Sequence, residues 1–412
     1  MSVVKSKFIS AKNSVTESEL KVNKPDIFGL LPFPAEAGAT IGSNVQGYIC
    51  NMQLPALGKF YGVKLVYRNY DTAAPMTINE AHVSACPQHA ALGNNSGLLS
   101  WSPSVTFGGN TVGTVPQATT KTFNGVAKVV PGTLVSDYIP VISVARTDTV
   151  GAPYLLRVAS HLAANSLCTS YNGTYFPNFN ALAQNPGLKH ANYSFTAAQA
   201  SLLSTGNSLG EYGGSVNPVN AIFYYDDIPQ SIAFFGDSII QGQGSSTTYA
   251  NLANYATMLA YSAGKKLVTA NYATSGQTTG ATIEILKNVV SKHKPNFAAF
   301  KVWSPNDGNT QAKFDAAWCE VMEGVSYCLQ NNVIPILITA PPAVGSSWSL
   351  IDAQNAKAKA IKNAIVFDFA ALMSDSGNNG SILGAYNADG THINDAGAIV
   401  AARALLNLLS VI

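Results

Sequence analysis

Hydrophobic positions divide this chain into two differently patterned halves. From residue 229 onward, short continuous apolar runs alternate with longer amphipathic stretches. Ile232–Phe235, Leu267–Tyr272, Phe297–Trp303, Val333–Ala340 and Ile365–Phe369 read as five strands. Between and after them, 249–264, 278–292, 311–329, 351–363 and 395–409 read as helices. In the 311–329 segment, Phe314, Trp318, Val321, Val325 and Cys328 form a single stripe at helical spacing, which makes Trp318 a core residue. Strands that are apolar throughout, rather than alternating, are buried on both faces. The pattern therefore predicts a parallel five-stranded sheet covered by helices on both sides.

Residues 1–228 lack this alternation. The first 44 read as an arm, opening with polar sequence rich in Lys, Ser and Asn. From residue 45 to 228, runs such as YGVKLVYRNY, VAKVVPGTLV, YIPVISVART and YLLRVASHL lie between Gly, Pro and Asn turns. Val, Ile, Tyr and Thr dominate these runs, so a β-rich domain of sandwich or jelly-roll type is expected. Long loops and a short helix near Ala197–Ser204 are expected between 170 and 220. Tyr171, Tyr175, Phe176, Phe179, Tyr193 and Phe195 lie in that Asn-rich region. They fit either sugar-ring stacking or simple anchoring of a long loop.

Composition narrows the function classes. Lys plus Arg number 24 and Asp plus Glu 22, a net charge of +2, without the basic excess of a nucleic-acid binder. Only 11% of residues are charged, against about 25% on average. The polarity comes from amides, hydroxyls and glycine, which suits sugar-rich surroundings. No apolar run approaches the roughly 20 residues of a membrane-spanning helix. The opening MSVVKSKFISAKNSVTESEL has no apolar h-region and does not read as a secretory signal peptide; virion-associated or other extracellular action remains compatible with that. Five cysteines, an odd and sparse set, do not read as a disulfide framework, and Cys50, Cys86 and Cys168 leave room for one bridge. Cys319 and Cys328 fall on opposite faces of one helix at about 100° per residue and should not pair. His82, Cys86 and His89 have ligand-like spacing but no fourth partner nearby, so no metal site is read there. Gly242 and Gly244 lack the third glycine of a dinucleotide fingerprint.

Candidate chemistry collects at the ends of the predicted strands, where ligands bind in open α/β sheets. The first strand runs into Gly236-Asp237-Ser238. After the second comes Thr274-Ser275-Gly276-Gln277, and after the third Ser304-Pro305-Asn306-Asp307. Asp389-Gly-Thr-His392 precedes the last helix. A serine nucleophile needs a base, and the base needs a carboxylate to fix its tautomer. Ser238, His392 and Asp389 can fill these roles. A glycine N–H and an asparagine amide are suitable oxyanion donors, which points to Gly276 and Asn306. Asp237 and Asp307 fit local loop bracing better than chemistry.

This ordered set resembles the SGNH hydrolases, also called the GDSL esterase/lipase family, over roughly residues 230–412. The resemblance implies a flavodoxin-like three-layer α/β/α domain and a cofactor-free serine esterase mechanism. It implies Ser238 as nucleophile, His392 as base and then acid, and Asp389 as the orienting carboxylate. It implies an oxyanion hole of the Ser238 N–H, the Gly276 N–H and the Asn306 side chain. Ile239 stands where the name-giving motif has Leu, and Ser304 replaces the glycine usual two positions before the asparagine. A β-sandwich joined to such a domain is similar in layout to two-domain carbohydrate esterases. The expected substrate is a short acyl ester, acetyl foremost, on a carbohydrate. Two other readings stay open. A longer-chain lipase or thioesterase would need an apolar groove, against which the polar QGQGSSTTY after Ser238 argues. A carbohydrate-binding or virion-surface protein would use a hydrolase-like domain for recognition.

Overall fold

The computed structural model describes residues 47–56, 58–69, 71–86, 102–123, 125–145, 147, 154–163, 219–226, 230–246, 251–377 and 380–410. It also describes short strand segments at 27–28, 39–40, 167–168, 170–172, 191–194 and 214–216. The expected helix near 197–204 lies outside these residues. So do the side chains of the six aromatic residues between 171 and 195.

The N-terminal half is built from antiparallel strands: β1 (Gly47–Ala56), β2 (Phe60–Asn69), β3 (Met76–Cys86), β4 (Gly113–Val115), β5 (Thr119–Phe123), β6 (Val126–Val130), β7 (Gly132–Val135), β8 (Ile139–Pro140), β9 (Tyr154–Ala163) and β10 (Val219–Tyr225). One sheet runs in the order Ile27–Phe28, β10, β2, β8, with β7 also on β2; a second runs Ala191–Ser194, β1, β9, β3, β4. Phe60, Val63, Leu65 and Tyr67 of β2 and Phe223 of β10 share one buried core with Ile78 and Val83 of β3 and Leu156 and Val158 of β9. Side chains alternate between the faces of a strand, so each sheet can give one face to this core. Among the described residues, the strands β5 and β6 pair only with each other, as a separate hairpin.

The C-terminal half holds the expected parallel sheet. Its strands are β11 (Gln230–Phe235), β12 (Leu267–Asn271), β13 (Phe297–Lys301), β14 (Ile334–Ile338) and β15 (Ile365–Phe367). They lie in the order β12-β11-β13-β14-β15, all parallel. The helices are α1 (Ser238–Gln241), α2 (Leu252–Ser262), α3 (Thr279–His293), α4 (Gln311–Gln330), α5 (Trp348–Lys359), α6 (Phe369–Met373) and α7 (Asp395–Ser410). Ile283, Leu286 and Val290 of α3 and Phe314, Val321 and Val325 of α4 pack on one face with Ala233, Phe235 and Phe300. Leu252 and Ala256 of α2 and Ala398, Ala401 and Leu405 of α7 pack on the other with Ile232, Phe234 and Ala299. The result is an α/β/α core.

Trp318 is only partly buried, packed against this core while Phe314 stacks on Trp303 at 4.8 Å. Cys319 is exposed and Cys328 buried, and neither is in a disulfide. Burial pushes the Cys328 thiol up to about 12. The two halves share apolar surface: Val66, Ile222 and Tyr224 of the antiparallel sheet join the cluster around Phe235, Tyr272 and Ile285. Among the described residues, no helix is long and apolar enough to cross a membrane.

Candidate active site

Strand order reverses at β11, with β12 on one side and β13 on the other. A crevice opens at the carboxyl ends of the strands at such a reversal. Three polar loops converge there, following β11, β12 and β13.

The first carries Ser238. Asp237 is fully buried and caps α1, its Oδ1 accepting the Ile239 N–H at 3.1 Å. Ser238 is therefore the first residue of a helix whose start is pinned. The Asp237 Oδ2 accepts from Lys301 Nζ at 2.7 Å and from the Ser304 hydroxyl at 2.6 Å. Lys301 is the last residue of β13 and its side chain is only 3% exposed. The pair is a buried ion bridge directly behind Ser238.

The second loop carries Gly276. A turn closed by Gln277 N–H to Thr274 O holds it, with φ at +74°. That left-handed conformation suits glycine. This turn is tied to the first loop twice. Thr274 N–H donates to Gly236 O at 3.0 Å, and the Ser275 hydroxyl donates to Gln243 Oε1 at 2.9 Å.

The third loop carries Asn306 in a one-turn 3-10 helix, Pro305–Asp307, with Ser304 as its cap. Asp307 is buried, and its carboxylate accepts the Thr279 N–H at 2.8 Å, the Thr279 hydroxyl at 2.6 Å and the Ser304 N–H at 3.0 Å. Burial pushes the Asp307 carboxyl above the ordinary carboxylate pKa, and these hydrogen bonds oppose the rise. Both aspartates thus brace loops, as their sequence context suggests. The serine that replaces the usual glycine has a structural task here. Besides bonding Asp237, Ser304 Oγ lies 2.8 Å from Gln277 O and accepts from Asn306 Nδ2 at 3.0 Å. Asn306 Nδ2 also donates to Gln277 O at 3.1 Å. Both amide hydrogens of Asn306 therefore have partners within the loops.

The fourth element is the loop before α7. His392 Nε2 lies 2.9 Å from Ser238 Oγ, and His392 Nδ1 lies 2.7 Å from Asp389 Oδ2. An ionised carboxylate only accepts, so Nδ1 carries the proton and Nε2 is left to accept from the serine hydroxyl. Asp389 Oδ1 accepts the N–H groups of Thr391 at 3.0 Å and His392 at 2.9 Å. Burial would raise the Asp389 carboxyl, but the His392 ring, these two N–H groups and the histidine's charge outweigh it. Together they hold it at about 2. Gly244 backs the histidine: a Cβ built there would lie 2.5 Å from His392 Cβ. Ser246 ties the same loop to Asp395 at the start of α7 through its N–H at 2.8 Å and its hydroxyl at 2.5 Å.

The structure thus brings Ser238, His392 and Asp389 into one hydrogen-bonded chain, with the Gly276 and Asn306 loops laced to the serine's loop. This supports a serine-hydrolase-like centre. Lys301 belongs to the site's support and is not singled out by sequence reasoning. Its one signal in the sequence is a cation closing an otherwise apolar strand. Of the three residues with ligand-like spacing, His82 has its Nδ1 2.9 Å from Ser102 O and its Nε2 2.8 Å from Glu80 Oε1, while His89 and the Cys86 side chain lie outside the described residues.

No family model matches the sequence, and no curated protein matches it. Solved structures do match part of the chain. A GDSL-like lipase from Bacteroides thetaiotaomicron is 18% identical, covering 44% of this chain and 89% of its own, with a TM-score of 0.35. A psychrotrophic esterase, EstA, from Pseudoalteromonas sp. is 14% identical over 44% of this chain and 98% of its own, with a TM-score of 0.36. A Clostridium thermocellum family 3 carbohydrate esterase is 16% identical over 44% of this chain and 98% of its own, with a TM-score of 0.33. At these identities and scores the likeness carries no argument about family, activity or substrate.

Proposed function

We propose that this chain is a serine esterase that hydrolyses short acyl esters, acetyl foremost, carried on a carbohydrate. The observation that carries the reading is the unbroken hydrogen-bond chain Ser238–His392–Asp389, at 2.9 and 2.7 Å. Ser238 Oγ attacks the ester carbonyl while His392 Nε2 takes its proton. Asp389, ionised throughout, holds the ring in the productive tautomer and stabilises its positive form. The tetrahedral oxyanion is met by the N–H groups of Ser238 and Gly276. Asn306 joins them by releasing one of its two present partners, Gln277 O or Ser304 Oγ. His392 then protonates the leaving alcohol, and water activated by the same histidine frees the acid from the acyl-enzyme. No metal or cofactor enters these steps.

The short-acyl part of the proposal is supported by what surrounds the serine: Gln243, Gly244, Ser275, Ser304 and Asn306 are polar or small, where a long chain would need an apolar trough. The carbohydrate part is supported by the low charge of the chain and the β-rich half joined to the catalytic one. In domain terms, we take 1–44 as an arm, 45–228 as the accessory β domain and 229–412 as the hydrolase.

The test is a series of 4-nitrophenyl esters from acetate to palmitate, on wild type and Ser238→Ala. The expected result is serine-dependent hydrolysis, falling steeply beyond short chains and reduced at least 10³-fold by the substitution. Preference for long chains would replace the acetyl reading with a lipase. Undiminished hydrolysis by a folded Ser238→Ala would overturn the mechanism.

A further inference from the structure

The hairpin β5–β6 belongs to the N-terminal half, yet it lies on the hydrolase half beside the catalytic crevice. Three contacts fix it there. Phe123 packs where α3 begins, so that a Cβ built on Gly280 would meet its ring at 2.9 Å. At the hairpin's turn, a Cβ built on Gly125 would lie 3.2 Å from Lys313 Nζ. Lys121 of β5 makes an ion pair with Glu284 of α3 at 2.5 Å.

Directly across the hairpin from Lys121 stands Lys128 of β6. Two ammonium groups opposite each other on one face repel, which is destabilising unless each finds an anion. Lys121 has Glu284. Lys128 has no ion pair with any described residue, although its side chain is partly buried. Its ammonium is aimed at the turn after β12: a Cβ built on Gly276 would lie 3.6 Å from Lys128 Nζ. The accessory half thus delivers an uncompensated positive charge to the rim of the proposed oxyanion hole.

We propose that Lys128 selects esters that carry an anionic group, a carboxylate or an equivalent oxyanion, close to the scissile carbonyl. The proposal rests on the esterase reading and deepens it. The β-rich half then forms one wall of the active site as well as flanking it. The anion can sit on the acyl part, as in a dicarboxylic half-ester, or on the alcohol part, as in an acetylated acidic sugar. Lys128 touches the substrate's charge and not the reacting atoms, so it is a specificity residue.

The experiment compares four esters on wild type, Lys128→Gln, Lys128→Arg and Lys128→Glu. Mono-4-nitrophenyl succinate puts the anion on the acyl side, with 4-nitrophenyl acetate as its neutral partner. The ester 3-acetoxybenzoate puts it on the alcohol side, with phenyl acetate as its neutral partner. The anionic-to-neutral ratio of kcat/KM should fall about tenfold in Lys128→Gln for one of the two pairs, and that pair identifies which side carries the charge. It should fall further in Lys128→Glu and be largely kept in Lys128→Arg. In wild type the ratio should shrink as salt rises from 0.05 to 1 M, because a rim charge is screened. Parallel changes on charged and neutral esters, or an unchanged ratio in both pairs, would overturn the proposal. Ser238→Ala on the neutral esters reads the esterase mechanism separately. Should wild type cleave none of the four, that mechanism fails, and Lys128 is judged by saturation-transfer binding of 3-acetoxybenzoate against phenyl acetate. Equal binding to wild type and Lys128→Gln would then overturn it.

Discussion

Replacing Lys301 by Met tests the support behind the nucleophile. Lys301 Nζ lies 2.7 Å from Asp237 Oδ2, with the two side chains 3% and 0% exposed. The substitution keeps the volume and removes the charge. Asp237 is left fully buried with the Ile239 N–H and the Ser304 hydroxyl as its remaining donors. Breaking a buried pair by deleting one partner costs about 3–5 kcal/mol, because the surviving charge is uncompensated. Asp237→Asn alone strands the ammonium and should cost a similar amount. The double variant removes both charges and should lose less than the sum, giving a coupling energy of about 2–3 kcal/mol. Equilibrium urea denaturation of all four proteins measures this directly. Activity adds an independent reading: Asp237 caps the turn that begins with Ser238, so kcat should drop in Lys301→Met even in protein that is folded under assay conditions. A loss below about 1 kcal/mol in Lys301→Met, or a coupling near zero, would refute the reasoning.

Three further outcomes follow from the geometry. Asp389→Asn should lower kcat/KM by about 10²–10⁴-fold with little change in stability, because the carboxylate is half exposed but fixes the tautomer; in the wild type that carboxyl, held at about 2, stays ionised, so the wild-type pH profile should show no step at the ordinary carboxylate value. Gly244→Ala adds a methyl group 2.5 Å from His392 Cβ at a φ of +95°, so kcat/KM should fall by about tenfold to a hundredfold while the fold survives by circular dichroism. Burial first, then the charges of Asp307 and Glu323, push the Glu320 carboxyl up to about 7 against an ordinary 4.5. The folded chain then keeps a proton that the unfolded chain loses, so stability falls as pH rises from about 4.5 past 7. Glu320→Gln should therefore raise Tm more at pH 8 than at pH 4, and an equal change at both would contradict the assignment.

Much of the hydrolase half is written locally. Its strands are uninterrupted apolar runs, and α3 and α4 start within one residue of where periodicity places them, at Thr279 and Gln311. The helix expected over 351–363 instead occupies Trp348–Lys359, because Ser347 begins it and the stripe of small residues gives periodicity little to measure. The short helices α1 and α6 have four and five residues, too few for a hydrophobic period to register. In the β half, VAKVVPGTLV reads as one strand but forms two, β6 and β7, on either side of Pro131, which has no N–H to give to a ladder. The site is legible where it depends on residue type and order, as with Ser238, His392 and Asp389. It is not legible where it depends on contacts between distant segments. Lys301 meeting Asp237, Ser304 bridging Asp237 and Asn306, and Lys128 reaching Gly276 all join segments dozens of residues apart or more.

The central claim is that Ser238 is a nucleophile activated through His392. Labelling with a fluorophosphonate probe, followed by peptide mapping, tests it most directly. The expected result is one phosphonyl group per chain on Ser238, with labelling slowed at least a hundredfold in His392→Ala and blocked by prior turnover-limited acylation. Stoichiometric label on another residue, or none on Ser238 in folded protein, would contradict it.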